Sequence, residues 1–164
     1  MEMINKIVDA TGLHALKAIK ENVVIDNPHE LTLGQRNNNP INIKAFDNWD
    51  GMTGQDEYGH AIFKNLDYGI RAAYKNFDNH IKGNPDQSLL DYFNTFAEEN
   101  GGAEAKYIAD KLGVSVNSKL NMFRPEDILV HSSKFESKTD ITPEGLKNVM
   151  DKFGLGIKKV IKKK

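Results

Sequence analysis

Apolar positions along the chain recur mainly at helical spacing, with one interruption by short extended runs. From Met1 to about Val24, Ile4, Ile7, Val8, Leu13, Leu16, Ala18 and Ile19 predict two short helices broken at Thr11-Gly12. Residues 25–40 then read as a polar loop, because asparagines, a glycine and two prolines leave little room for regular structure. Between Ile41 and Phe63, short runs rich in β-formers and aromatics alternate with turn signals at Asp50-Gly51, Thr53-Gly54 and Tyr58-Gly59, which predicts a hairpin or meander.

Beyond Asp67 the period returns to about 3.6. Ile70, Ala73, Tyr74, Phe77 and Ile81 form one face of a helix that stops at Gly83-Asn84-Pro85. Ser88 is placed to cap a helix through Ala97, and Ala103 to Leu112 predicts another that ends at Gly113. Arg124-Pro125-Glu126-Asp127 opens a helix to about Phe135, and Pro143-Glu144 opens a last one through Lys152, each with proline in the first turn and acids near the positive end of the helix dipole. The pattern therefore gives an α+β chain, mostly helical, with one small hairpin or meander to the side. We divide it into an N-terminal helical segment and loop (1–33), a main domain (34–153) and a basic C-terminal tail (154–164).

Composition narrows the function little. At 164 residues one hydrophobic core is plausible, and 39% apolar with 27% charged residues excludes disordered and collagen-like classes. A net charge of −1 removes any general attraction to nucleic acid or anionic lipid. The tail departs from that balance: Lys158, Lys159, Lys162, Lys163 and Lys164 interleave with Ile157, Val160 and Ile161, which suits contact with a membrane surface or DNA, or a solvated end. The absence of cysteine excludes thiol nucleophiles and disulfides. His14, His29, His60, His80 and His131 are too far apart for a zinc-binding spacing, so neither metal nor cofactor is expected. There is no nucleophile-elbow serine or phosphate-binding glycine loop.

A denser set of rare residues stands in fixed order from Gly34. Gly34-Gln35-Arg36-Asn37-Asn38-Asn39-Pro40-Ile41-Asn42-Ile43-Lys44 is followed by Trp49-Asp50-Gly51, Ala61-Ile62-Phe63 and Tyr68-Gly69-Ile70-Arg71-Ala72, and then by Glu99-Asn100, Tyr107-Ile108-Ala109 and Leu112-Gly113-Val114. This resembles a family of phage and prophage virion proteins with the pattern RNNNPGNI, W-x-G, F-x-x-F and GIRA, over about Gly34 to Gly145; Ile41 stands where that family usually has glycine. The block is also similar to the glucosaminidase and lytic transglycosylase branch of the lysozyme superfamily, through Asn38 to Lys44, Trp49 to Gly51 and Asp56-Glu57-Tyr58.

The resemblance implies a lysozyme-like domain that acts on bacterial peptidoglycan, carried in a phage virion or made in the infected host and working at the periplasm or cell wall, with other virion proteins as partners. The implied activity is that of a lytic transglycosylase or a muramidase/glucosaminidase; the alternative is a virion structural protein that keeps the fold without catalysis. A glycan presents hydroxyl and acetamide edges and flat C–H faces, so its site needs amides beside aromatic platforms. Asn38, Asn39, Asn42, Trp49, Tyr58 and Tyr107 are the substrate-binding candidates. The asparagines would equally serve as caps for loop backbone, and Trp49 as a core anchor.

Glycoside cleavage needs a carboxylic acid in a poorly solvated cleft. Glu136 is the first candidate, since Phe135-Glu136-Ser137 at a helix end looks like the Glu-Ser of lytic transglycosylases, which as the resemblance implies need one acid and use the sugar's own 6-hydroxyl as nucleophile. Its position after the asparagine block requires a circular permutation of the usual order. Glu57, on the hairpin, matches the second carboxylate of the glucosaminidase branch, and Glu30 holds the conventional place before the block. Each has a plain alternative as a solvated turn, loop or helix-end charge. The amides of Asn38, Asn39 and Asn42 are expected on one cleft wall with Glu57.

Overall fold

The computed structural model describes residues 23–25, 30–96 and 100–156. The elements run β1 (Val23–Ile25), α1 (Leu33–Arg36), β2 (Met52–Gln55), β3 (Ala61–Phe63), α2 (Leu66–Gly83), α3 (Leu89–Phe96), α4 (Gly101–Leu112), a 3-10 turn (Leu120–Met122), α5 (Pro125–Ser137), β4 (Thr139–Ile141) and α6 (Pro143–Phe153). The fold is α+β and mostly helical, as the periodicity predicts. Most of the helices expected between Met1 and Val24, and the basic tail from Ile157, lie outside the described residues; Val23 and Val24 are strand rather than helix.

The helices centre on α2, whose buried face is Leu66, Ile70, Ala73, Tyr74 and Phe77. Phe77 meets Tyr92, Phe93 and Phe96 of α3 with ring centroids 5.8, 6.4 and 6.2 Å apart, so an aromatic cluster joins the two helices. α4 packs on α3 and α5, and α2 packs on α5 and α6. Helix ends follow the expected chemistry: Ser88 Oγ accepts from the Asp91 N–H, Thr142 accepts from the Gly145 N–H, and Gly113 closes α4 in the left-handed conformation.

The sheet content departs from expectation. β2 and β3 form the predicted antiparallel hairpin, with an irregularity between Met52 and Gly54. A second antiparallel pair joins β1 to β4, with Val24 opposite Asp140. β4 has only three residues between two helices, too short for any period to register. Through this pairing, part of the segment assigned to 1–33 is hydrogen-bonded to the main domain.

The polar loop also contains a helix. Thr32 and Gln35 form a reciprocal capping box around α1: the Gln35 N–H donates to Thr32 Oγ1 at 3.2 Å, and the Thr32 N–H donates to Gln35 Oε1 at 2.9 Å. α1 is then docked on the end of α5. Thr32 Oγ1 donates to Ser137 O at 2.8 Å, Gln35 Nε2 to Lys138 O at 3.2 Å, and Ser137 Oγ to Pro40 O at 2.7 Å. Gly69 makes the packing of this loop on α2 possible, because a Cβ there would lie 1.8 Å from Asn38 O. These contacts tie the asparagine block to the helix end that carries Glu136, although almost a hundred residues separate them in the chain.

Candidate active site

The asparagines of the block divide between scaffold and cleft. Asn39 is fully buried; its Nδ2 donates to Ile43 O at 3.0 Å and Ala61 O at 2.9 Å, and its Oδ1 accepts from the Ile43 N–H at 2.9 Å. Asn38, with φ +55°, donates to Phe63 O at 2.9 Å. Asn37 donates to Asp56 Oδ2 at 2.9 Å. The amides of Asn38 and Asn39 pin the loop to β3, and neither residue lines the cleft at Glu136. Asn42 is different. Its Nδ2 donates to Glu136 O at 3.0 Å and approaches Glu136 Oε1 at 3.3 Å, so it grips both backbone and carboxyl of the residue at the end of α5.

Glu136 and Asn42 line a cleft of about 470 Å³ between the hairpin side and the helices. Phe46, Asp47, Trp49 and His60 belong to the hairpin wall, and Asn76 and His80 of α2 with Gln87 and Asn100 face them. Phe46 is 90% exposed, a large apolar ring left open to solvent at the cleft. Trp49 packs partly against the core, and its indole Nε1 is buried without a hydrogen-bond partner among the described residues. Tyr58 is also exposed, 6.2 Å from the His60 ring, but does not line the cleft.

The two other acids singled out from the sequence are elsewhere. Glu57 is exposed in the β2–β3 turn and Glu30 is exposed ahead of α1; neither lines the cleft. The asparagine amides and Glu57 therefore do not share one wall. Tyr107 packs on Phe135 with centroids 5.6 Å apart and carries Lys111 over its ring, away from the cleft lining. The hairpin carboxyl with a structural role is Asp56. Burial pushes it up, but hydrogen bonds from the His60 N–H, the Asn37 amide, the His60 ring and the Tyr58 N–H outweigh that and hold it at about 2. Asp56 Oδ2 lies 3.1 Å from His60 Nδ1, which orients the His60 ring that lines the cleft.

The group that the sequence reading missed is Glu104. It lies on α4 with no exposed surface, and Ser132 Oγ, one turn before Glu136 on α5, donates to its Oε2 at 2.7 Å. Burial, a side-chain interaction with Glu136 and the like charge of Glu136 push its carboxyl up to about 10, against the opposing bond from Ser132. Oε1 is buried without a hydrogen-bond partner, and the carboxyl that acts on Glu104 is that of Glu136. A signal for it existed: Gly101, Glu104, Ala105, Ile108 and Ala109 share the buried face of α4, and a glutamate there is out of place.

Among the described residues no group of three or more histidine, aspartate or glutamate side chains could hold a metal ion, and no helix is long and apolar enough to cross a membrane. Comparison with protein-family models gives no match, and comparison with curated proteins gives none either.

Proposed function

We propose that this chain cleaves the glycan strand of bacterial peptidoglycan, with Glu136 as the acid. The observation that carries the reading is the position of Glu136: a carboxyl at a helix terminus, held by the Asn42 amide, that lines a cleft with an exposed phenylalanine, a tryptophan and several amides. Sugar faces stack on such rings, and hydroxyl and acetamide groups pair with such amides. The assignment to peptidoglycan, to a lysozyme-like ancestry and to a phage origin comes from the motif resemblance and belongs to the proposal. So does the permuted order, in which the acid's helix follows the asparagine block. Contact of the tail with membrane or DNA is a separate expectation on residues outside those described.

The single-acid chemistry suits the cleft best. Glu57 does not line it, and among the described residues Asp47 is the other carboxylate that does, on an exposed stretch. In this scheme Glu136 gives its proton to the glycosidic oxygen as the C1–O bond breaks. The substrate's own 6-hydroxyl then adds to C1, and its proton returns to the Glu136 carboxylate. The product is a 1,6-anhydro sugar, with no water consumed and the enzyme restored.

Purified peptidoglycan incubated with the chain and analysed by mass spectrometry tests this. Wild type should release 1,6-anhydro muropeptides, and Glu136→Gln, which keeps shape but has no transferable proton, should lose about 10²–10⁴-fold in rate. Ordinary reducing ends would replace the transglycosylase scheme by hydrolysis. A wild type that binds peptidoglycan but never cuts it would favour the non-catalytic virion protein.

A further inference from the structure

We propose that Glu104 is a positioning residue for Glu136: a buried carboxyl behind the cleft that fixes the side chain of the cleft acid and shares a proton with it. Glu104 sits on α4 where α4 packs on α5, wholly out of solvent and outside the cleft lining. One of its oxygens is engaged by Ser132; the other has no well-formed partner, and the neighbour acting on the carboxyl is Glu136. A buried carboxylate beside a second one is unfavourable twice, by desolvation and by like charge, so one proton stays between the two. That proton lies next to Glu136, the member that reaches the cleft.

The arrangement has a cost that a packing role would not need. An apolar residue at position 104 would fill the same space without a buried acid, because the rest of that face is Gly101, Ala105, Ile108 and Ala109. The titratable group that acts on Glu104 among the described residues is Glu136 of α5; Glu104 in turn acts on Tyr92 of α3, whose hydroxyl is pushed well up, by burial first and then by the Glu104 charge. No described cation neutralises the pair. Asn42 also holds the Glu136 carboxyl, so both an amide and a protonated acid act on it.

The inference rests on Glu136 being the acid of the proposed reaction, and the test separates the two. Side-chain carboxyl ¹³C resonances of the full chain, followed with pH, need no substrate. In wild type one glutamate should stay protonated through neutral pH, and that resonance should vanish in Glu104→Gln. Glu136→Gln should move the Glu104 transition down, because the like charge is gone. Ser132→Ala should move it up, because the bond to the ionised form is gone. On peptidoglycan, Glu104→Gln should lower kcat and displace the pH profile with KM little changed, while a merely structural defect would leave the profile of the folded fraction in place. Two results overturn the proposal: every glutamate titrating in the ordinary carboxylate range, or a Glu104 transition indifferent to Glu136→Gln. If wild type shows the coupled titration without cleaving peptidoglycan, the pairing holds and the proposed reaction fails.

Discussion

Asn39 offers the sharpest separation of scaffold from site. Replacement by alanine removes the three hydrogen bonds that the fully buried Asn39 side chain makes in the turn that leads to the hairpin. Their loss is unequal. Ile43 O still accepts from the Ala61 N–H at 2.9 Å, whereas the Ile43 N–H loses the Asn39 Oδ1 that it donates to. An orphaned buried group costs about 1–3 kcal/mol, and the Ile43 N–H together with the lost bonds to the Ile43 and Ala61 carbonyls and a small void comes to roughly 2–5 kcal/mol. Against a total stability of roughly 5–15 kcal/mol for a domain, that is large but survivable. Denaturant unfolding should show a lower midpoint with an unchanged slope, read by circular dichroism or by the fluorescence of Trp49, the single tryptophan. Asn39→Asp keeps the acceptor for Ile43 and places a carboxylate against two carbonyls. It should be less damaged at pH 4 than at pH 8, because the protonated acid regains one donor. The reasoning fails if Asn39→Ala unfolds like wild type yet no longer binds glycan, since the amide would then act on ligand and not on the turn.

Other outcomes follow from the same geometry. Glu57→Gln should leave peptidoglycan cleavage within a few-fold of wild type in a product-release assay, because this side chain is exposed and away from the cleft. Phe46→Ala should weaken sedimentation with insoluble peptidoglycan about three- to tenfold while the thermal midpoint stays put, since a ring 90% exposed contributes little to the core. Asp56 is held at about 2, below its ordinary 3.8, so its contribution to stability is full above pH 3.8 and is lost as pH falls through 2. Acid unfolding of Asp56→Asn should accordingly be less steep in that window, as followed by circular dichroism.

The helices were legible because each carries its signals locally. Pro125 and Pro143 at helix starts, Gly113 at a helix end and the stripe from Leu66 to Phe77 lie within a turn or two of what they determine. Glu136 could be singled out in the same way, from its place at the end of an apolar helix beside serine. For the asparagines local chemistry left both roles open. Three asparagines before a proline suggest a run of ligand-binding amides, yet each amide's fate depends on which partner folds against it: Asn37 meets Asp56, Asn38 meets Phe63, and Asn39 spans Ile43 and Ala61. Only Asn42 is turned toward the end of α5, and no spacing along the chain could tell it from its neighbours. Strands β1 and β4 pair across more than a hundred residues with three residues each, and β4 follows directly on the Ser137 and Lys138 carbonyls against which α1 docks. The Glu104 contact with Glu136 is of the same kind. A glutamate on an apolar helix face is visible in the sequence as an oddity, but its meaning arises only when α4 packs on α5 and the low dielectric between them sets two carboxyls against one proton.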